Sequence, residues 1–183
     1  MTNAFVCTIA AALTITAGAG AASAQAPPPL GPEHQILSTE AGTWDAVIEM
    51  TTPDGSSMRA NGMEEDTLSC GGRCLVIAFK GDLMPGATFE GRGVTTWDAA
   101  KRKYVSAWAD SMAPGMGVSE GTYDASTKTM TSTMEGPDMT GTVVKTKSTV
   151  RFTDADHKVM TMFMVGPDGK ETQGMQISYT RRK

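Results

Sequence analysis

Histidine and cysteine are scarce in this chain, with two and three respectively in 183 residues. That scarcity argues against zinc sites built from several thiolates and imidazoles and against most nucleophile–histidine machinery, because neither His34 nor His157 stands in a recognisable ligand or catalytic motif. Positive charge is also thin. Lys and Arg number 16 against 20 Asp and Glu, for a formal charge of -4, and the basic residues are scattered, so there is no nucleic-acid footprint. Helical periodicity is missing from Thr43 onward, and no run beyond the first thirty residues is apolar and long enough to span a bilayer.

Charge is absent altogether from Met1 to Leu30. The Ala-rich stretch from Ala4 to Ala22 is interrupted by Gly18 and Gly20, which makes it a poor membrane span, while Ala22 and Ala24 fit a signal-peptidase site. Residues 1–24 therefore read as a secretory signal cleaved after Ala24, with Ala26 as second choice, although no Lys or Arg precedes the apolar run. The mature protein is expected in the periplasm or outside the cell. Residues 25–32, with Pro27-Pro28-Pro29 and Pro32, read as an extended tether. Residues 33–183 are the length of one ordinary domain.

Cys7 leaves with the signal, so the mature chain keeps only Cys70 and Cys74, flanking Gly71-Gly72-Arg73. In an oxidising compartment a disulfide is the simplest state of this pair, and it requires the intervening turn to fold back. Free thiols and a redox or metal role are the alternatives, but the spacing is not that of Cys-x-x-Cys motifs.

What the chain has in quantity is strand and turn chemistry. After a short helical segment from Glu33 to Glu40, Thr-, Val-, Met- and aromatic-rich runs recur, cut every 8 to 14 residues by turns. Pro53-Asp54-Gly55 and Pro167-Asp168-Gly169 are β-turn tripeptides. Trp97-Asp98-Ala99-Ala100-Lys101-Arg102-Lys103 and Tyr123-Asp124-Ala125-Ser126-Thr127-Lys128-Thr129 repeat one hairpin pattern, in which an aromatic ends a strand, Asp opens the turn and Lys follows. The runs predict strands over 43–52, 56–69, 73–82, 86–97, 103–112, 115–123, 128–136, 141–153, 158–166 and 170–182. A ten-strand meander leaves two bare edges unless it closes, so the expected fold is all-β: a single antiparallel up-and-down barrel with a short N-terminal helix.

Pleating assigns the faces. Tyr104, Ser106, Trp108, Asp110 and Met112 alternate with Val105, Ala107, Ala109 and Ser111, and the larger amphipathic set suits a lumen. In the following run Val118, Glu120 and Thr122 share a face opposite Ser119 and Tyr123.

Ala41-Gly42-Thr43-Trp44 after a helical segment resembles the Gly-x-Trp entry of lipocalin-like barrels, in which a basic residue of the last strand packs on the indole. Arg181 and Arg182, after Tyr179-Thr180, stand where that contact requires a cation. A wider set comprises His34, Trp44-Asp45, Gly71-Gly72-Arg73, Phe89-Glu90-Gly91, Trp97-Asp98 with Tyr104, Trp108-Ala109-Asp110-Ser111-Met112, Ser119-Glu120-Gly121, Gly166-Pro167-Asp168-Gly169-Lys170 and Tyr179-Thr180-Arg181. In that order these resemble the bacterial family known as domain of unknown function 1579. The resemblance covers the whole mature domain and implies a small calycin-type barrel, but no particular activity, ligand or cofactor.

Functional expectations follow from the lumen. Tyr104, Trp108, Asp110 and Glu120 are the candidate contacts for a small, partly apolar or amphipathic molecule bound inside a monomeric barrel. Trp44, Arg181, Cys70 and Cys74 are expected to be structural. Two other classes remain open. One is an enzyme using Asp110 and Glu120 as an acid/base pair. The other is a metal or haem protein, using the thioethers of Met160, Met162 and Met164, with Met130, Met134, Met139 and Met175 also available, for copper or His157 as a haem ligand. The string Gly117-Val118-Ser119-Glu120-Gly121 has the spacing of a hydrolase elbow, but it runs into a hairpin turn, not a helix, which leaves Ser119 an ordinary strand residue.

Overall fold

A computed structural model describes residues 27–51, 55–84 and 86–183. The proposed signal segment and its cleavage point after Ala24 lie outside the described residues. The chain opens with helix α1 (Pro32–Glu40) and continues as ten strands: β1 (Gly42–Thr51), β2 (Ser57–Ser69), β3 (Cys74–Met84), β4 (Ala87–Asp98), β5 (Lys103–Asp110), β6 (Met116–Asp124), β7 (Thr129–Pro137), β8 (Val143–Phe152), β9 (His157–Val165) and β10 (Glu171–Arg181). Each strand pairs antiparallel with the next, and β10 returns to β1, so the sheet closes into an up-and-down barrel with no free edge.

Aspartate turns produce the hairpins. Asp98 Oδ1 accepts the Ala100 and Lys101 N–H groups, Asp124 Oδ1 accepts that of Ser126, and Asp168 Oδ1 that of Lys170, so one side chain satisfies the donors exposed by each reversal. At two strand ends the structure falls two residues short of the sequence run, for the same reason. β5 stops at Asp110 because its carboxylate turns to accept the Met112 and Ala113 N–H groups at 2.8 and 2.9 Å. β8 starts at Val143 because Asp138 Oδ1 collects the N–H groups of Thr140 and Thr142 around a left-handed Gly141.

The lower lumen is packed. Trp44, Ala46, Ile48, Phe79, Ile177 and Tyr179 form one buried cluster. Leu37 of α1 meets Leu75, Tyr104 and Met130 in a second. A nine-residue helix does not hold its shape alone. Leu37 is fully buried, which at about 1.5–3 kcal/mol for such a side chain anchors α1 across this end as a floor. His34 serves the helix start, its Nδ1 accepting the Gly31 N–H at 3.0 Å. Cys70 and Cys74 are disulfide-bonded, with α-carbons 5.5 Å apart, across the β2–β3 turn, and Arg73 donates to the Pro28 carbonyl.

Candidate functional site

The floor is held from the last strand. The Arg181 guanidinium lies 3.9 Å from the Trp44 ring centroid and donates to the carbonyls of Thr39, Ala41 and Ala155 at 2.8, 2.7 and 3.1 Å. One side chain thus ties α1, the start of β1 and the β8–β9 turn together. Gly42 takes a φ of 141°, and a Cβ there would stand 2.3 Å from Arg181 Nη1, so the glycine of the Gly-x-Trp entry is required twice. The Trp44 indole N–H donates to Glu40 O at 2.9 Å.

Just above the indole sits a buried charge network. Lys158 Nζ donates to Glu64 Oε1 at 2.8 Å and to Asp66 Oδ2 at 3.0 Å, and the Tyr179 hydroxyl donates to Glu64 Oε2 at 2.9 Å. Glu40 Oε2 lies 4.0 Å from the ammonium, which also faces the Trp44 and Tyr179 rings at 4.6 and 4.8 Å. Three carboxyl groups thus share one cation. Burial, then the neighbouring Glu64, push Asp66 up to about 8 against the pull of Lys158. Burial likewise raises Glu40 and, with Glu64, the Tyr179 phenol. Burial lowers Lys158, but Glu64, Glu40 and Asp66 more than offset it and keep the ammonium charged. Asp66 Oδ1 is buried with no hydrogen-bond partner among the described residues.

The upper lumen is different in character. Trp108 lies flat over β4, where a Cβ on Gly91 would meet its indole at 2.1 Å, so only glycine leaves room for the ring. Its N–H donates to Asp110 Oδ2 at 3.0 Å. Around it Ser106, Ser119, Ser132, Met134, Ser148 and Met162 are only half buried, and register places all of them on the lumen side. Two surface depressions lie at this end of the barrel, and neither is lined by Trp108 or Asp110. One of about 190 Å³ is lined by Leu83, Ala87, Thr88, Phe89, Ser111 and Met112. The other, of about 430 Å³ between β8 and β9, is lined by Val143, Val144, Lys145, Met164, Val165, Gly166 and Pro167.

The four expected ligand contacts separate. Trp108 and Asp110 stand on the lumen side above the floor, with Trp108 packed against its buried cluster. Tyr104 faces inward but belongs to the floor: it is buried, its ring meets Trp97 edge-on at 5.0 Å, and its hydroxyl donates to Glu33 O at 3.0 Å. Burial pushes its phenol up to about 12. Glu120 is a correction. It pairs with Val105 and Thr133 on the outer face, where hydrogen bonds from Lys101 and Lys103 at 2.6 and 2.7 Å hold its carboxyl down to about 2. Asp110 and Glu120 therefore lie on opposite sides of the barrel wall, and the acid/base pair does not exist. His157 also faces outward, opposite Thr180 and against Asp154 at 2.8 Å, which removes it as a ligand inside the lumen. Ser119 sits in mid-strand, as an ordinary residue of β6.

Lys158 was the residue most easily missed. It occupies a hairpin exit, where lysine is ordinarily solvated, yet it shares the pleat face of Met160, Met162 and Met164, and that alternation was the available signal.

Comparison with solved structures gives the same architecture. The chain matches Rv2717c from M. tuberculosis with a TM-score of 0.63 at 13% identity, over 85% of this chain and 100% of that one. It matches the S-type phycobiliprotein lyase CPES from Guillardia theta with a TM-score of 0.55 at 11% identity, over 82% and 93%. At such identities the likeness concerns the fold alone. No curated protein matches the chain. The family described as "Protein of unknown function (DUF1579)" matches residues 29–181, a span that takes in the floor helix and all ten strands, and the chain belongs to that family.

Proposed function

We propose that this protein is exported, loses residues 1–24, and works as a monomeric barrel that takes up a small, partly apolar molecule through the open mouth of its lumen. The observation that carries the proposal is the asymmetry of the interior. One end is sealed by Leu37, Trp44 and Arg181. The other leaves an indole, a carboxylate, hydroxyls and thioethers half buried on the lumen side, the mixture of apolar surface and a few polar groups that small-molecule sites use. Trp108 offers an apolar face held in place by Gly91 and Asp110, and the serines of β5–β8 offer hydroxyls for a polar end of the molecule. The Cys70–Cys74 bond accords with an oxidising compartment.

Titration of the purified mature chain with anilinonaphthalene sulfonate, an apolar anionic dye, tests this. Saturable binding that is weakened by Trp108→Ala is the expected result, and a dye that fails to saturate would count against the lumen site. The mass of the protein recovered from the periplasm tests export separately, with Gln25 as the expected N-terminus.

A further inference from the structure

Register brings together four methionines from two hairpins, β1–β2 and β9–β10, at opposite ends of the chain. Met50 of β1 is the direct partner of Met58 on β2 and of Met175 on β10, and Met175 is in turn the direct partner of Met162 on β9. Each belongs to the lumen-facing set of its strand: Met50 shares its pleat with Ile48 and Trp44, Met58 with Glu64, Met175 with Ile177, and Met162 with Lys158. Four neighbouring strands thus present an unbroken cross-strand row of thioethers on the inner wall. All four side chains are half buried, close enough to the mouth to be reached from solvent.

We infer that the row Met58, Met50, Met175 and Met162 is a binding site for a soft monovalent metal ion, with Cu(I) as the ion it suits. Directly opposed side chains have Cβ atoms about 4.5–5.5 Å apart. Each Met has three rotatable bonds beyond its Cα, so the sulfurs of three consecutive members, always including Met50 and Met175, can reach one ion without movement of the backbone. Ligand softness supplies the selectivity, since thioethers favour Cu(I) whereas Mg²⁺, Ca²⁺ and Mn²⁺ seek oxygen. The lumen carboxylates are held away from the row by other partners, Glu64 and Asp66 Oδ2 by Lys158 and Asp110 by Trp108 and two backbone N–H groups. Thiols do not compete either, because Cys70 and Cys74 are bonded to each other. The inference is independent of the organic ligand, and a barrel that bound Cu(I) but no dye would still satisfy it.

The test is anaerobic titration of the purified mature chain with Cu(I) in the presence of bicinchoninate as competing chelator, followed by X-ray absorption of the loaded protein. The expected result is one ion per chain with sulfur neighbours. Affinity should fall at least about tenfold in Met50→Leu/Met175→Leu, which keeps core volume nearly constant. Met116→Leu, an exposed methionine on the outer wall, should bind as wild type does. Failure to compete with the chelator, a coordination sphere of nitrogen and oxygen, or undiminished affinity in the double variant would each overturn the site. The spectroscopic result on the wild-type protein decides the matter even if the double variant does not fold.

Discussion

Lys158 and Asp66 meet at 3.0 Å in the barrel floor although 92 residues separate them in sequence. This contact, with Glu64 and Glu40 around it, places more carboxylate than ammonium in a buried space, and the excess negative charge is relieved by retaining protons. A pH dependence follows, with a definite sign. The Asp66 carboxyl is raised from 3.8 to about 8 in the folded protein, so between those values the folded chain holds a proton that the unfolded chain has lost. Stability therefore falls as pH rises through that window and levels off above it. Thermal melting should show Tm declining between pH 5 and 8, with roughly 2–4 °C for each kcal/mol in a chain of this size. Asp66→Asn, which cannot ionise, should flatten the decline. A variant with the wild-type slope would exclude Asp66 as its source.

Removing the cation should be worse than removing a carboxylate. Lys158→Met leaves Glu64 buried without its counter-charge, and Asp66 as well once the pH passes about 8, a change that costs about 3–5 kcal/mol in comparable pairs. Urea unfolding should show a lower midpoint at unchanged m-value. Replacing Lys158, Glu64 and Asp66 together by apolar residues of similar volume should recover much of that loss, because a network without charge needs no pairing. Equal stabilities for the single and triple variants would contradict the electrostatic account.

Arg181 is expected to matter through its shape as much as its charge. Arg181→Lys keeps a cation near Trp44 but cannot reach three carbonyls at once. A loss of about 1–2 kcal/mol is expected, accompanied by faster hydrogen exchange in α1. An unchanged unfolding midpoint would show that the floor is held by packing alone.

Gly91→Ala tests the seat of Trp108. The added methyl meets the indole at 2.1 Å, so the ring must lift, break its bond to Asp110 and lose about 1–3 kcal/mol to overpacking. Tryptophan emission should shift to the red and dye affinity should fall. Gly174→Ala, where the nearest atom to the new Cβ is 3.7 Å away, should do neither. Identical spectra for the two variants would contradict the placement of the indole.

Much of this barrel was legible in the sequence because its turns are chemically explicit. Asp98, Asp124 and Asp168 mark reversals by capping them with their own side chains, and a meander of ten strands has closure as its way of covering both edges. The Trp44–Arg181 contact was legible for a similar reason, since both residues lie in short motifs at the chain's two ends. Face assignment failed on β6, and the cause is physical. Its lumen positions include Gly117 and Gly121, which are small because Met134 and Ser132 of β7 fill the space beside them; a Cβ on either glycine would meet those side chains at 2.7 and 2.2 Å. The larger residues Val118 and Glu120 consequently face water, and side-chain size pointed the wrong way. The methionine row was hidden for a different reason. It exists only in the register between strands, and no single strand carries more than one of its members.

The central claim is that the upper lumen holds a small organic molecule, and native mass spectrometry of the mature protein purified gently from the periplasm tests it most directly. The account predicts a complex heavier than the chain beginning at Gln25, with denaturation releasing one organic species that is not retained by Trp108→Ala. A chain that carries nothing, and takes up nothing when incubated with a periplasmic small-molecule extract, would contradict it.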